Sequence, residues 1–164
     1  MVETFKTEIW KQFGASLDMF ENSLKQCPDE LWTNEDTNFW YIAYHTLFYT
    51  DYYLSEEPDN FQPPPPYSPS EFQEGIMPER VYTKEELISY TQHCREKCRK
   101  LLADFTEEKA RKPWINKWKN YTMFEMMLYN MRHVQHHVGQ LNLLLGQIDH
   151  ELPIWVSQTK ATLN

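Results

Sequence analysis

The sequence predicts an all-α protein, a four-helix bundle with a long crossover between its second and third helices. Three observations carry that expectation. Apolar residues recur at steps of three and four over long stretches, two Thr-x-x-Glu signatures mark helix starts, and a proline-dense segment at residues 55–80 interrupts the helical pattern once and at length. With 164 residues, 41% of them hydrophobic, the chain suffices for one core, and residues 1–164 are expected to form a single domain.

Within residues 3–26, Phe5, Ile9, Trp10, Phe13, Leu17, Phe20 and Leu24 trace one face of an amphipathic helix. Pro28 disfavours helical backbone at Cys27 and ends it. Leu31 and Trp32 are expected to close that end of the core. Residues 33–38 are rich in capping side chains, and residues 39–54 read as a second helix, apolar and aromatic nearly all round. Their length and lack of alternation favour helix over strand. Tyr41, His45, Tyr49 and Tyr52 or Tyr53 share one face, which is polar-aromatic where a core stripe would be aliphatic.

The crossover contains Pro63, Pro64, Pro65, Pro66 and Pro69. Prolines hold the backbone extended, so four residues at about 3.1 Å each span about 12 Å. Such a segment can carry the chain along a bundle, or cover a site as a lid. Flanking basic residues that would suit a ligand for a proline-binding module are missing. Thr83 and Glu86 form a capping box that opens the third helix, whose buried face is Leu87, Tyr90, Cys94, Cys98, Leu101 and Leu102. Cys94 and Cys98 therefore read as small core residues, although a site built on His93, Cys94 and Cys98 has the same spacing. Residues 104–120 read as a connector holding at most a short helix near 106–111. Thr122 and Glu125 repeat the capping signal and open a fourth helix reaching about residue 147, roughly 37 Å at about 1.5 Å per residue. Gly139 costs about 1 kcal/mol relative to Ala in a helix, which suggests a close helix contact there. Pro153, Ile154 and Trp155 are expected to pack as a tail across the bundle.

A net charge of -8 and a pI near 5.2 disfavour nucleic acid and anionic membrane surfaces as partners. Residues 1–6 lack the basic and apolar regions of a signal peptide, and no run of about 18 apolar residues occurs. The expectation is a soluble, cytoplasmic protein. Cys27, Cys94 and Cys98 form an odd set without disulfide spacing, which fits a reducing compartment. Aromatic residues make up 15% of the chain, with six Trp and ten Tyr. Buried phenols and indoles need polar partners, so a polar-lined cavity is expected.

The fourth helix holds three of the six histidines, His133, His136 and His137. His133 and His137 are four apart, so their Cβ atoms lie about 5–6 Å apart on one face. Two imidazoles so placed can chelate one ion and leave coordination positions open. His45 is the candidate third ligand, because its depth in the second helix matches theirs in the fourth for either helix direction. Three neutral imidazoles with an open position suit a divalent transition metal, Zn, Ni, Fe or Cu with Zn or Ni foremost, in a reactive site. His136 would point away, and Gln140 could orient His137. Tyr41 and Tyr49, one turn either side of His45, are candidate substrate contacts, and residues 57–70 could close over the site.

The run Trp40-Tyr41-Ile42-Ala43-Tyr44-His45 and the run His133-Val134-Gln135-His136-His137-Val138-Gly139-Gln140-Leu141 resemble those of the DinB-like family, DNA-damage-inducible four-helix-bundle proteins that include thiol-dependent S-transferases. The order of elements is similar over nearly the whole chain. The resemblance implies a divalent metal on His45, His133 and His137. It also implies a metal-dependent enzyme of thiol S-transferase or hydrolase type, acting on a small-molecule substrate with a low-molecular-weight thiol. The alternative is a non-catalytic binding protein, or a homodimeric interaction protein, with a vestigial metal site.

Overall fold

A computed structural model describes residues 2–163 of the chain. In chain order the elements are α1 (Val2–Gln26), α2 (Asp29–Trp32), α3 (Phe39–Tyr53), α4 (Lys84–Ala103), α5 (Glu107–Arg111), β1 (Pro113–Ile115), β2 (Asn120–Thr122) and α6 (Met123–Gln147). Four long helices make the predicted all-α bundle. α1 and α3 each pack against both α4 and α6. α3 and α4, which the crossover joins, are themselves neighbours. Phe13, Leu17, Phe20, Phe39, Leu47, Phe48, Leu87, Cys94, Cys98 and Leu141 are among the residues that fill one continuous core. Both cysteines are fully buried, which fits their reading as packing residues. No helix among the described residues is long and apolar enough to cross a membrane.

Local chemistry explains most element boundaries. Leu31 and Trp32 N–H groups bond the Pro28 carbonyl, forming α2 and burying both side chains. The capping-type residues before α3 build a turn instead of a cap: Asn34 Oδ1 accepts from the N–H groups of Asp36 and Thr37, and Asn38 takes a left-handed φ of 52°. Thr83 and Glu86 complete their reciprocal box at the start of α4. Thr122 Oγ1 accepts from Glu125 N–H at 3.1 Å to start α6. That helix ends in a Schellman motif, with Asp149 at φ 53° and His150 N–H bonded to the Leu145 carbonyl at 3.1 Å.

The crossover lies along α3 and α4: its backbone accepts from two α3 phenols, and its own Tyr67 donates to the α4 backbone. Tyr44 donates to the Ser68 carbonyl, Tyr49 to the Glu71 carbonyl at 3.0 Å, and Tyr67 to the Glu86 carbonyl at 2.6 Å. The tract turns at its cis Pro65–Pro66 bond, where Tyr67 N–H bonds the Pro64 carbonyl at 3.0 Å. Three buried indoles are likewise bonded to loop carbonyls: Trp10 to Ala161, Trp32 to Tyr82 and Trp114 to Ser55. Much of the aromatic polarity expected to line a cavity is thus consumed by irregular backbone.

Three local expectations are corrected. The connector contains a hairpin, with Pro113 paired to Thr122, Trp114 to Tyr121 and Ile115 to Asn120; strands of three residues are too short to declare a period of two. Gly139 is exposed and an added Cβ there would meet nothing within 4 Å. The close approach is at Gly14, where a Cβ would stand 2.5 Å from Thr159 Cγ2. Finally, Ile154 and Trp155 are 84% and 69% exposed. The tail is fastened further on, by Thr159 N–H to the Lys11 carbonyl and by Arg99 to the Leu163 carbonyl.

Candidate metal centre

The neighbouring helices α3 and α6 bring His45, His133 and His137 together. Ring centroids are 5.9 Å apart for His45 and His133, 5.0 Å for His45 and His137, and 4.6 Å for His133 and His137. One nitrogen of each lies within 4.8 Å of the others. Among the described residues this is the one group of three or more His, Cys, Asp or Glu side chains placed to hold a metal ion. His136 is exposed and outside the group.

Two of the imidazoles are oriented by acceptors. His45 Nδ1 lies 2.6 Å from Glu71 Oε2, and His137 Nδ1 lies 2.6 Å from Gln140 Oε1. A carboxylate or an amide oxygen only accepts, so each Nδ1 carries the hydrogen and each Nε2 is the atom left for an ion. Gln140 thereby takes the orienting position expected from its spacing. Glu71, whose side chain is 4% exposed, was not foreseen, because it belongs to the crossover one residue beyond the stretch expected to close over the site.

His133 differs from the other two. Both of its nitrogens are buried without a hydrogen-bond partner. An unpartnered buried imidazole is costly, and a bound ion would engage one of those nitrogens. Burial above all, with neighbouring His137 and His45, pushes the His133 pKa down to about 2. Burial likewise brings His137 down to about 4, against the opposing bond to Gln140. Both imidazoles are neutral at pH 7, as metal ligation requires. Convergent nitrogens, with those of His133 and His137 neutral, make the donor set fit a divalent ion.

Beside the histidines lies a cavity of about 280 Å³ lined by His45, Tyr49, Tyr52, Tyr53, Asn116, Trp118, Lys119, Tyr129 and His133. Tyr49 lines it as expected, with its ring 4.9 Å from that of His45. Tyr41 does not line it; burial first, and then the adjacent Glu71 carboxylate, hold its phenol well above the usual range. Tyr129 escaped the sequence reading although it stands four residues before His133, on the same helical face. Asn116, Trp118 and Lys119 arrive from the hairpin end, whose fold the sequence did not declare.

A four-helix bundle carrying three convergent histidines on two helices defines the class. The DinB superfamily model matches residues 12–141, a span holding all three histidines, and the chain belongs to that superfamily. No curated protein and no solved structure matches the chain significantly.

Proposed function

We propose that the protein is a metal-dependent enzyme in which His45, His133 and His137 hold one divalent transition ion, Zn or Ni, next to a small-molecule site. The reading is carried by His133, a buried imidazole with no protein partner for either nitrogen. A divalent ion with an open position lowers the pKa of a bound thiol or water and so supplies a nucleophile at neutral pH. The chain does the rest. Glu71 and Gln140 fix the tautomers of His45 and His137, His133 is kept neutral by burial, and the tyrosine wall shields the reacting groups from bulk water. The transfer of a thiol or water to a small electrophile fits this arrangement and the family.

The test uses protein made without a histidine tag. Elemental analysis should find about one divalent ion per chain in wild type and markedly less in His133→Ala. Low-molecular-weight thiols with a generic electrophile, and ester and amide substrates, should react faster with loaded wild type than with His137→Ala. Equal metal content in wild type and His133→Ala would remove the site. Metal binding without any rate above background would leave a binding protein.

Glu71 gives a separate expectation. Outer partners of metal-bound histidines typically contribute about 10–100-fold to metal affinity. Glu71→Ala should lower affinity by roughly that factor in a chelator competition, and Glu71→Gln, which keeps an acceptor for His45 Nδ1, by less. Unchanged affinity in Glu71→Ala would show that His45 needs no carboxylate to hold its ring.

A further inference from the structure

One cationic side chain in the cavity is left without a role by the metal site. Lys119 lines the same space as His45 and His133, and its ammonium sits 5.4 Å and 5.1 Å from the ring centroids of Tyr53 and Tyr129. Among the described residues no carboxylate lies within 4 Å of it, whereas Lys84, Arg95, Lys97 and Arg99 each have one. Arg132, which lines an adjoining opening with Tyr129 and His133, also has no carboxylate partner among the described residues. The nearby acid Glu71 bonds His45 and lines neither space.

The lysine is also held in place. Its N–H donates to Asn116 Oδ1 at 2.8 Å, its carbonyl accepts from Asn116 N–H at 3.0 Å, and Asn116 Nδ2 donates to the Tyr52 hydroxyl at 3.1 Å. The hairpin end is therefore tied to α3, beside the histidines. Phenol faces tolerate an ammonium while keeping its charge, and aromatic walls of low polarizability relative to water strengthen the field it projects into the cavity.

We infer that the cavity takes a small amphipathic anion, its apolar body against Tyr49, Tyr53 and Tyr129 and its carboxylate or phosphate on Lys119, with the reacting end toward the histidines. This assignment rests on the enzyme reading and names its substrate class. The volume, near the lower limit of about 300 Å³ for ligand cavities, suits a single aromatic ring with its substituent.

The experiment is calorimetric titration of metal-free and zinc-loaded protein with benzoate, phenyl phosphate and the neutral benzyl alcohol. The metal-free arm separates Lys119 from attraction by zinc. A charge-assisted bond is worth about 1.5–3 kcal/mol, so at least about a tenfold preference for one of the anions is expected in both forms. Whichever anion binds tighter identifies the headgroup. Lys119→Met should erase the preference while leaving benzyl alcohol affinity and zinc content unchanged, and Lys119→Arg should retain most of it. Circular dichroism checks folding, with Lys119→Gln replacing the Met variant if that one is damaged. Equal affinity for anion and alcohol in the metal-free protein, a preference that survives Lys119→Met, or no binding of any probe would overturn the inference. A protein that takes up no added zinc and still prefers an anion would keep the anion site and defeat the enzyme reading.

Discussion

Asp51→Ala is expected to destabilise the bundle by about 3 kcal/mol, the lower end of the range for breaking a buried ion pair. Asp51 is 1% exposed and sits in α3 with three partners from α4. Lys97 Nζ is 2.5 Å away, Tyr90 donates at 3.1 Å, and His93 Nε2 lies at 3.3 Å. Removing the carboxylate leaves the Tyr90 hydroxyl buried without an acceptor. Lys97 and His93 are 30% and 44% exposed on their side chains, so water recovers part of their loss, and the lower end applies. For a domain of this size about 3 kcal/mol corresponds to a drop of about 6–12 °C in melting temperature. Asp51→Asn, which keeps an acceptor for Tyr90, should cost less. Burial opposes ionisation of Asp51, but the bond to His93 and the charge of Lys97 outweigh it and hold the pKa below its usual value. The carboxylate therefore contributes stability that is complete above about pH 4 and is lost as pH falls through the lowered folded pKa. Asp51→Asn should flatten that acid limb in denaturant titrations. A melting temperature within about 2 °C of wild type for Asp51→Ala would show that the ion pair adds nothing.

The helices and the histidine triad were legible for one physical reason. Both depend on the helical period, which sequence records directly: Leu17, Phe20 and Leu24 repeat it in the core, and His133 and His137 repeat it at the site. What surrounds the triad depends on where irregular backbone lands, and no short-range pattern encodes that. Glu71 reaches His45 across the crossover, and Lys119 reaches the cavity through a hairpin with three-residue strands. Gly139 misled because glycine in a helix signals a missing Cβ, not the presence of a neighbour. Trp155 misled because an aromatic side chain has the same composition signal whether buried or exposed.

Chelation should lower the melting temperature of metal-loaded, untagged protein by about 5–11 °C, and His45→Ala should abolish that response. The magnitude follows from linkage. An ion present at about 100 times its Kd and bound only by the native state adds about 2.7 kcal/mol, at about 2–4 °C per kcal/mol for a chain of this size. His45 is the one member of the triad on α3, so without it no ion ties α3 to α6, and the remaining pair on α6 stabilises only its own helix. Protons should act in the same direction as the chelator. His133 and His137 have folded pKa values of about 2 and about 4, against 6.5 for the free side chain, with burial as the leading cause. Between pH 6.5 and about 4 the unfolded chain binds protons that the folded chain refuses. Even metal-free protein is then fully stable with respect to these groups only above about pH 6.5, and loses stability as pH falls below it. Metal release on protonation of the imidazoles adds to the loss in loaded protein. Melting curves from pH 8 to pH 5, with and without chelator, read both effects. Wild type should show the steeper acid slope and His133→Ala the shallower one. A chelator response that persists in His45→Ala would place the ion elsewhere, and equal slopes in the two metal-free proteins would mean that His133 is not held neutral by its burial.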